Sequence, residues 1–103
     1  MSFELKISPK ASEDIDGIYD FIYKDSPKNA LEQVRLIYKA FDSITEMPGI
    51  GANLRGYVSS PTEYKFFVIN KTYITFYLVK NNAVYISRVF SVKQDYLDIL
   101  GIK

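Results

Sequence analysis

Apolar and polar residues alternate at the start of the chain, with Phe3, Leu5 and Ile7 set against Glu4, Lys6 and Ser8. A period of two predicts a short half-buried strand, because successive side chains point to opposite faces. The period then lengthens. Ala11, Ile15, Ile18, Tyr19 and Ile22 recur at helical spacing, with Glu13, Asp14, Asp16 and Asp20 between them as an acidic outer face. Ser8-Pro9 marks the start of this helix. Serine can accept from an orphan backbone N–H, and proline fits the first turn because its missing N–H would have no partner there. The same pair returns at Ser26-Pro27, ahead of a stripe made of Ala30, Leu31, Val34, Ile37, Tyr38, Phe41 and Ile44. Met47-Pro48-Gly49 stops this second helix, since proline disfavours helix at the residue before it and glycine relaxes the turn. Residues 9–47 therefore predict an antiparallel helical hairpin with a very short link.

Residues 48–63 hold Pro48, Gly49, Gly51, Gly56, Ser59, Ser60 and Pro61, and predict a loop, with a short extra element over Leu54–Val58. Three strands follow: Tyr64 to Ile69, Tyr73 to Val79, and Val84 to Phe90. Asn70-Lys71 and Asn81-Asn82 are the turns between them, because asparagine tolerates positive φ. Lys93 to Leu100 predicts a final helical turn or two, carrying Tyr96, Leu97 and Leu100. The fold class is α+β. Its order is β-α-α-β-β-β, with an antiparallel sheet covered on one face by the N-terminal helical hairpin and a small C-terminal helix. On the middle strand, Ile74, Phe76 and Leu78 are expected to pack on the helices. Tyr73, Thr75 and Tyr77 are then expected on the open face, where a site would lie.

Composition narrows the chemistry. The 103 residues suit a single domain over 1–103, and the apolar share of 48% argues against disorder. There is no Cys, which excludes disulfides, thiolate metal sites and thiol catalysis, and no His, the usual proton carrier near neutral pH and the commonest zinc ligand. No metal or cofactor is expected. No stretch approaches the roughly 20 apolar residues that span a bilayer, and the start lacks a signal-like apolar run, so a soluble cytoplasmic protein is expected. The net charge of +1 hides an asymmetry: residues 1–50 sum to −3 and residues 51–103 to +4. Such a field can favour an anionic partner at one face.

Several local motifs resemble the RelE/ParE toxin superfamily, over nearly the whole chain. ISPKASEDIDGIYDFI resembles that family's first strand running into its first helix. SPKNALEQVRLIYKAFDSITEMPGIG resembles its second helix, ending in a Pro-x-x-Gly turn, here Pro48 to Gly51. YKFFVINKTYITFYLV resembles its strand pair, with a basic residue before the hairpin and a Tyr-x-x-x-Tyr pattern after it, here Lys65, Tyr73 and Tyr77. VYISRVFSVKQDYLDIL resembles the closing strand and tail, with Arg88, Lys93, Asp95 and Tyr96.

The resemblance implies the toxin of a type II toxin–antitoxin, or plasmid stabilisation, system. It also implies a cognate antitoxin that wraps the toxin, with promoter DNA contacted only through that complex. Two activities occur in the family. ParE-like members inhibit DNA gyrase; RelE-like members cut messenger RNA in the ribosome. Cutting RNA through its 2′-hydroxyl needs a base, an acid and cations around one phosphate. Without His, this chain could draw on Lys65, Arg88, Lys93 and Tyr96 as a catalytic set, while Ser91 stands where related toxins often place His. Plainer roles compete: strand parity puts Lys65 with Phe67 and Ile69, and puts Arg88 with Val84, Ile86 and Phe90 on a packed face where it could pair with an acid from the helices, while Tyr96 beside Leu97 suits a tail anchor. Arg55, Tyr73 and Tyr77 are the candidates for contact with a target or antitoxin. Sparse cations and an acidic first helix suit a nuclease poorly, because phosphate contacts drive much of nucleic-acid affinity. The expectation is a ParE-like inhibitor of a protein such as gyrase. A ribosome-dependent nuclease is the alternative, and a non-toxic antitoxin-binding module a second one. The antitoxin is expected as an amphipathic segment lying across the sheet or along the helical hairpin.

Overall fold

Both helices begin where the Ser-Pro pairs predict. In this computed structural model the described residues are 3–58 and 62–100, with Asp98 and Leu100 described by backbone alone. Strand β1 (Glu4–Ile7) leads into α1 (Pro9–Tyr23) and α2 (Pro27–Glu46). Ser8 Oγ accepts from Ala11 N at 3.0 Å, and Ser26 Oγ accepts from Asn29 N at 3.1 Å. Each side chain thereby satisfies one of the N–H groups that a helix start leaves without a partner. The predicted loop carries two 3₁₀ turns, Pro48–Ile50 and Leu54–Gly56, around a two-residue strand, β2 (Ala52–Asn53). Its Ser59, Ser60 and Pro61 lie outside the described residues. Strands β3 (Lys65–Ile69), β4 (Tyr73–Lys80) and β5 (Ala83–Ser91) follow, then α3 (Tyr96–Leu100). Both hairpin turns use the left-handed region as expected, with φ of 51° and 59° at Asn70 and Lys71 and of 50° and 65° at Asn81 and Asn82. Two consecutive positive φ values give the turn a twist that matches its flanking strands.

The sheet order is β1-β5-β4-β3-β2. The three pairs β2–β3, β3–β4 and β4–β5 are antiparallel, as the hairpins require, whereas β1 joins β5 in parallel and makes the sheet mixed. A parallel neighbour needs a long crossover, and the helical hairpin begins that crossover.

Both faces of the sheet carry a core. On one side, Ala11 and Ile15 of α1 and Ile37, Phe41 and Ile44 of α2 pack on Tyr73, Tyr77, Val84, Ile86 and Val89. On the other, Leu54, Ile74, Phe76 and Phe90 form a second cluster, covered by Val58, Tyr64, Phe66, Tyr96 and Leu97. The expected facing of β4 is therefore inverted: Tyr73 and Tyr77 point at the helices, and Ile74 and Phe76 point away. The physical reason is that Tyr73 through Tyr77 are all buried, so alternation on this strand separates two apolar faces. The parity of β5 also changes along its length. Phe76 pairs with Arg88 but Tyr77 pairs with Ile86, so Ser87 is the extra residue of a β-bulge. Val84 and Ile86 face the helices before the bulge, and Val89 does after it. Arg88 turns to the other face beside Phe90, and shares none with Val84 and Ile86.

One hydroxyl ties the helices to the loop. Tyr77 is fully buried (0% exposed), and its Oη donates to Pro48 O at 2.7 Å while accepting from Gly51 N at 3.0 Å. The Pro-x-x-Gly turn and the second Tyr of the Tyr-x-x-x-Tyr pattern thus meet in one hydrogen-bonded node. A Cβ at Gly51 would lie 2.5 Å from both Phe66 O and Tyr77 Oη, so only glycine fits.

Two outcomes are expected. Tyr77→Phe leaves two backbone groups without their partner and lowers the unfolding free energy by about 1–3 kcal/mol, read from urea denaturation. Stability also depends on alkaline pH, because burial pushes the Tyr73 and Tyr77 phenols above their ordinary 10.0, with the Gly51 hydrogen bond lowering Tyr77 in part. Above pH 10 the unfolded chain releases these protons while the folded chain keeps them. Stability is therefore full below about pH 10 and falls as pH rises through the raised folded values. Urea midpoints between about pH 8 and pH 11 should fall less steeply in Tyr77→Phe than in the native chain.

Candidate functional site

Strand β1 stops at Ile7, opposite Ile86, so β5 has no strand neighbour on that side from Ser87 onward. Side chains and the chain leading into α1 fill the gap. Ser8 N donates to Ile86 O at 3.0 Å, and Ser8 Oγ donates to Ser87 O at 2.8 Å while it caps the helix. Nearly two turns further along α1, the Asp14 carboxylate takes three donors. Its Oδ2 accepts from Arg88 Nε at 2.8 Å and from Val89 N at 2.9 Å, and its Oδ1 accepts from Arg88 Nη2 at 2.9 Å. Beyond it, Gln94 Oε1 accepts from Ser91 N at 2.9 Å. The open edge is closed by side chains, which prevents unwanted strand pairing there.

The Arg88 guanidinium is committed to this arrangement. It forms a two-pronged pair with Asp14, with side-chain exposures of only 21% and 15%, and lies 4.5 Å from the centre of the Phe90 ring. The Asp14 hydrogen bond raises its pKa further above the ordinary arginine range, with burial opposing and the Asp14 and Glu13 charges adding to the rise. Arg88 is thus a permanent cation whose fork already faces a carboxylate, the geometry in which such pairs are strongest.

The other proposed catalytic residues lie elsewhere. Tyr96 packs with its ring 5.6 Å from Phe76 and 6.5 Å from Phe90, which anchors α3 to the second face. Arg88 and Tyr96 therefore meet the same phenylalanine. Lys65 shares the helix-side face with Phe67 and Ile69, and its Nζ donates to Asn53 Oδ1 at 2.7 Å. Two strand spacings, about 10 Å, and the thickness of the sheet separate β3 from that pair. Lys93 is exposed past the end of β5, facing α1. No single phosphate could meet all four in this arrangement.

The three candidates for partner contact also divide. Tyr73 and Tyr77 are buried under the helical hairpin and offer no ring to a partner on the sheet. Arg55 is exposed on the 3₁₀ turn over Leu54–Gly56, beside the exposed Tyr57. Among the described residues no group of three or more His, Cys, Asp or Glu could hold a metal ion, and no helix is long and apolar enough to cross a membrane.

Asp14, expected on a solvated outer face, is instead an acceptor turned toward the sheet. The signal was its spacing: three residues after Ala11 and four before Ile18 puts it on the flank of the apolar stripe. Replacing Asp14 tests the pair. Asp14→Ala should cost about 2–3 kcal/mol in urea denaturation, since it strands a partly buried guanidinium and the Val89 N–H. Asp14→Asn should cost less, because its amide oxygen can still accept from Val89.

A family model described as the ParE toxin of the type II toxin–antitoxin system parDE matches residues 5–96. No curated protein matches the chain. Among solved structures, it resembles the chromosomal ParDE toxin–antitoxin system from P. aeruginosa with 23% identity and a TM-score of 0.73, covering 89% of this chain and 98% of that one. It also resembles the RelBE2 toxin–antitoxin complex from Mycobacterium tuberculosis, with 18% identity and a TM-score of 0.61, over 91% of this chain and 95% of that one. At these identities the two structures establish a shared fold. The family match spans nearly all of the sequence, and the chain belongs to the ParE toxin family of type II toxin–antitoxin systems.

Proposed function

We propose that this toxin acts in the cytoplasm by binding a protein target, DNA gyrase, and that a cognate antitoxin neutralises it by covering its surface. The observation that carries the reading is the Asp14–Arg88 pair. The most central candidate cation for an RNA phosphate is already neutralised within the fold. Lys65 stands on the opposite face from Tyr96, and the chain has no His to move a proton. Cleavage through the 2′-hydroxyl needs these groups around one phosphate. Inhibition of a protein requires only a complementary surface. The antitoxin partnership draws support from the family match and from structural neighbours that are themselves toxin–antitoxin assemblies. Contact with promoter DNA would come through the antitoxin, since a net charge of +1 and an acidic α1 give this chain a weak attraction for a duplex.

The test compares two activities of one preparation. At roughly micromolar concentration, the purified chain should inhibit gyrase supercoiling and leave ribosome-bound messages intact. Cleavage at ribosomal A-site codons that is lost in Arg88→Ala or Tyr96→Phe would instead establish the nuclease. Neither activity, together with normal growth on induction, would leave an antitoxin-binding module.

A further inference from the structure

Residues 47–58 wrap the β2 edge of the sheet and are held from both of its faces. On the helix side, the Tyr77 hydroxyl bonds Pro48 O and Gly51 N. On the second face, Leu54 is buried and its N–H donates to Tyr64 O at 2.9 Å. Tyr57 N in turn donates to Leu54 O at 2.9 Å, closing the 3₁₀ turn over Leu54–Gly56. This anchored turn presents an aromatic ring and a cation to water. Tyr57 leaves 70% of its surface exposed, yet its ring stands edge-on to Phe66, 5.2 Å between centres and 83° between planes. Arg55 is exposed beside it, and among the described residues no ion pair or hydrogen bond engages its guanidinium.

Gly56 stands between the two. A Cβ there would meet nothing within 4 Å, and its φ lies outside the left-handed region, so the fold does not call for glycine at this position. The missing side chain leaves the backbone open to close approach from outside. Tyrosine and arginine are enriched among the residues that carry the energy of protein–protein contacts. A contact surface ordered before binding also loses little conformational entropy when the complex forms. The charge of the partner follows. Arg55 is the single charged residue within 47–58, whereas Glu13, Asp16 and Asp20 lie on α1, which packs on β5 toward the other edge of the sheet. An apolar protein surface bearing a carboxylate fits this turn. A nucleic acid fits it poorly, because one cation gives little affinity for phosphates.

We propose, resting on the gyrase reading above, that Arg55, Gly56 and Tyr57 form the contact through which this toxin engages its protein target. The Tyr57 ring enters an apolar recess of the target, an acidic side chain of the target pairs with Arg55, and the target surface closes over Gly56.

The test measures inhibition of gyrase supercoiling by the native chain, Arg55→Glu, Gly56→Glu and Tyr57→Ala, together with the urea midpoint of each protein and its affinity for the antitoxin encoded beside this chain. Neither glutamate displaces a contact of the fold, so the midpoints of those two variants should match the native value. Each of the three variants should need at least about tenfold more protein for half inhibition. Arg55→Lys, which keeps the charge without the planar fork, should lose less. Inhibition by all three variants at the native concentration overturns the contact and leaves the gyrase reading standing; weakened antitoxin binding in those variants would then give the turn to the antitoxin. No inhibition by the native chain overturns both. Loss of inhibition matched by a fall in the urea midpoint of both glutamate variants makes these residues structural and also overturns the proposal.

Discussion

The carboxylate of Asp14 holds the two layers of this protein in register. A mixed sheet whose outer strand stops early leaves backbone donors open beside a helix. Asp14 closes that gap by accepting one of them together with both prongs of Arg88. The contact fixes the distance and rotation of α1 against β5, and α2 follows through its short link. It also decides where the most central arginine points. A guanidinium drawn to the sheet edge, with Phe90 beneath it, leaves the face of the sheet to aromatic packing.

That second face shows how far a chain of this size must go to bury its sheet. A short 3₁₀ turn brings Leu54 down from one side, and α3 brings Tyr96 and Leu97 from the other. Tyr77, on the opposite face, hydrogen-bonds the turn from which that covering segment departs. The loop is positioned from beneath by a phenol in the main core. Its exposed residues, Arg55 and Tyr57, consequently sit on an anchored platform.

The element order was legible in the sequence because its signals are local. Two Ser-Pro caps, helical stripes and asparagine turns each depend on a few neighbouring residues. What escaped depends on residues far apart. Tyr73 to Tyr77 read as an alternating strand with one wet face, yet a covered sheet buries both, and nothing nearby tells an inward tyrosine from an outward one. The bulge at Ser87 reverses facing midway through β5 and moves Arg88 away from Val84 and Ile86. The parallel pairing of β1 with β5 joins positions some 80 residues apart in the chain, as in Lys6 with Tyr85, and has no local signature. The candidate site suffered most. A basic residue's position in a motif gives its strand but not its partner, and Asp14 carries the same local signature as the solvated acids beside it.

Family membership and activity therefore rest on different residues. Membership lies in caps, turns and core positions that many sequences can satisfy. Activity depends on whether cations converge, and here the central one is held by an acid from α1. The most direct test of that account is a double-mutant cycle in urea denaturation with Asp14→Ala, Arg88→Ala and both together, which cancels the separate contribution of the Val89 N–H. A coupling of about 2 kcal/mol is expected between the two side chains. Additive effects, within about 0.5 kcal/mol, would contradict it and return Arg88 to the surface as a cation available to substrate.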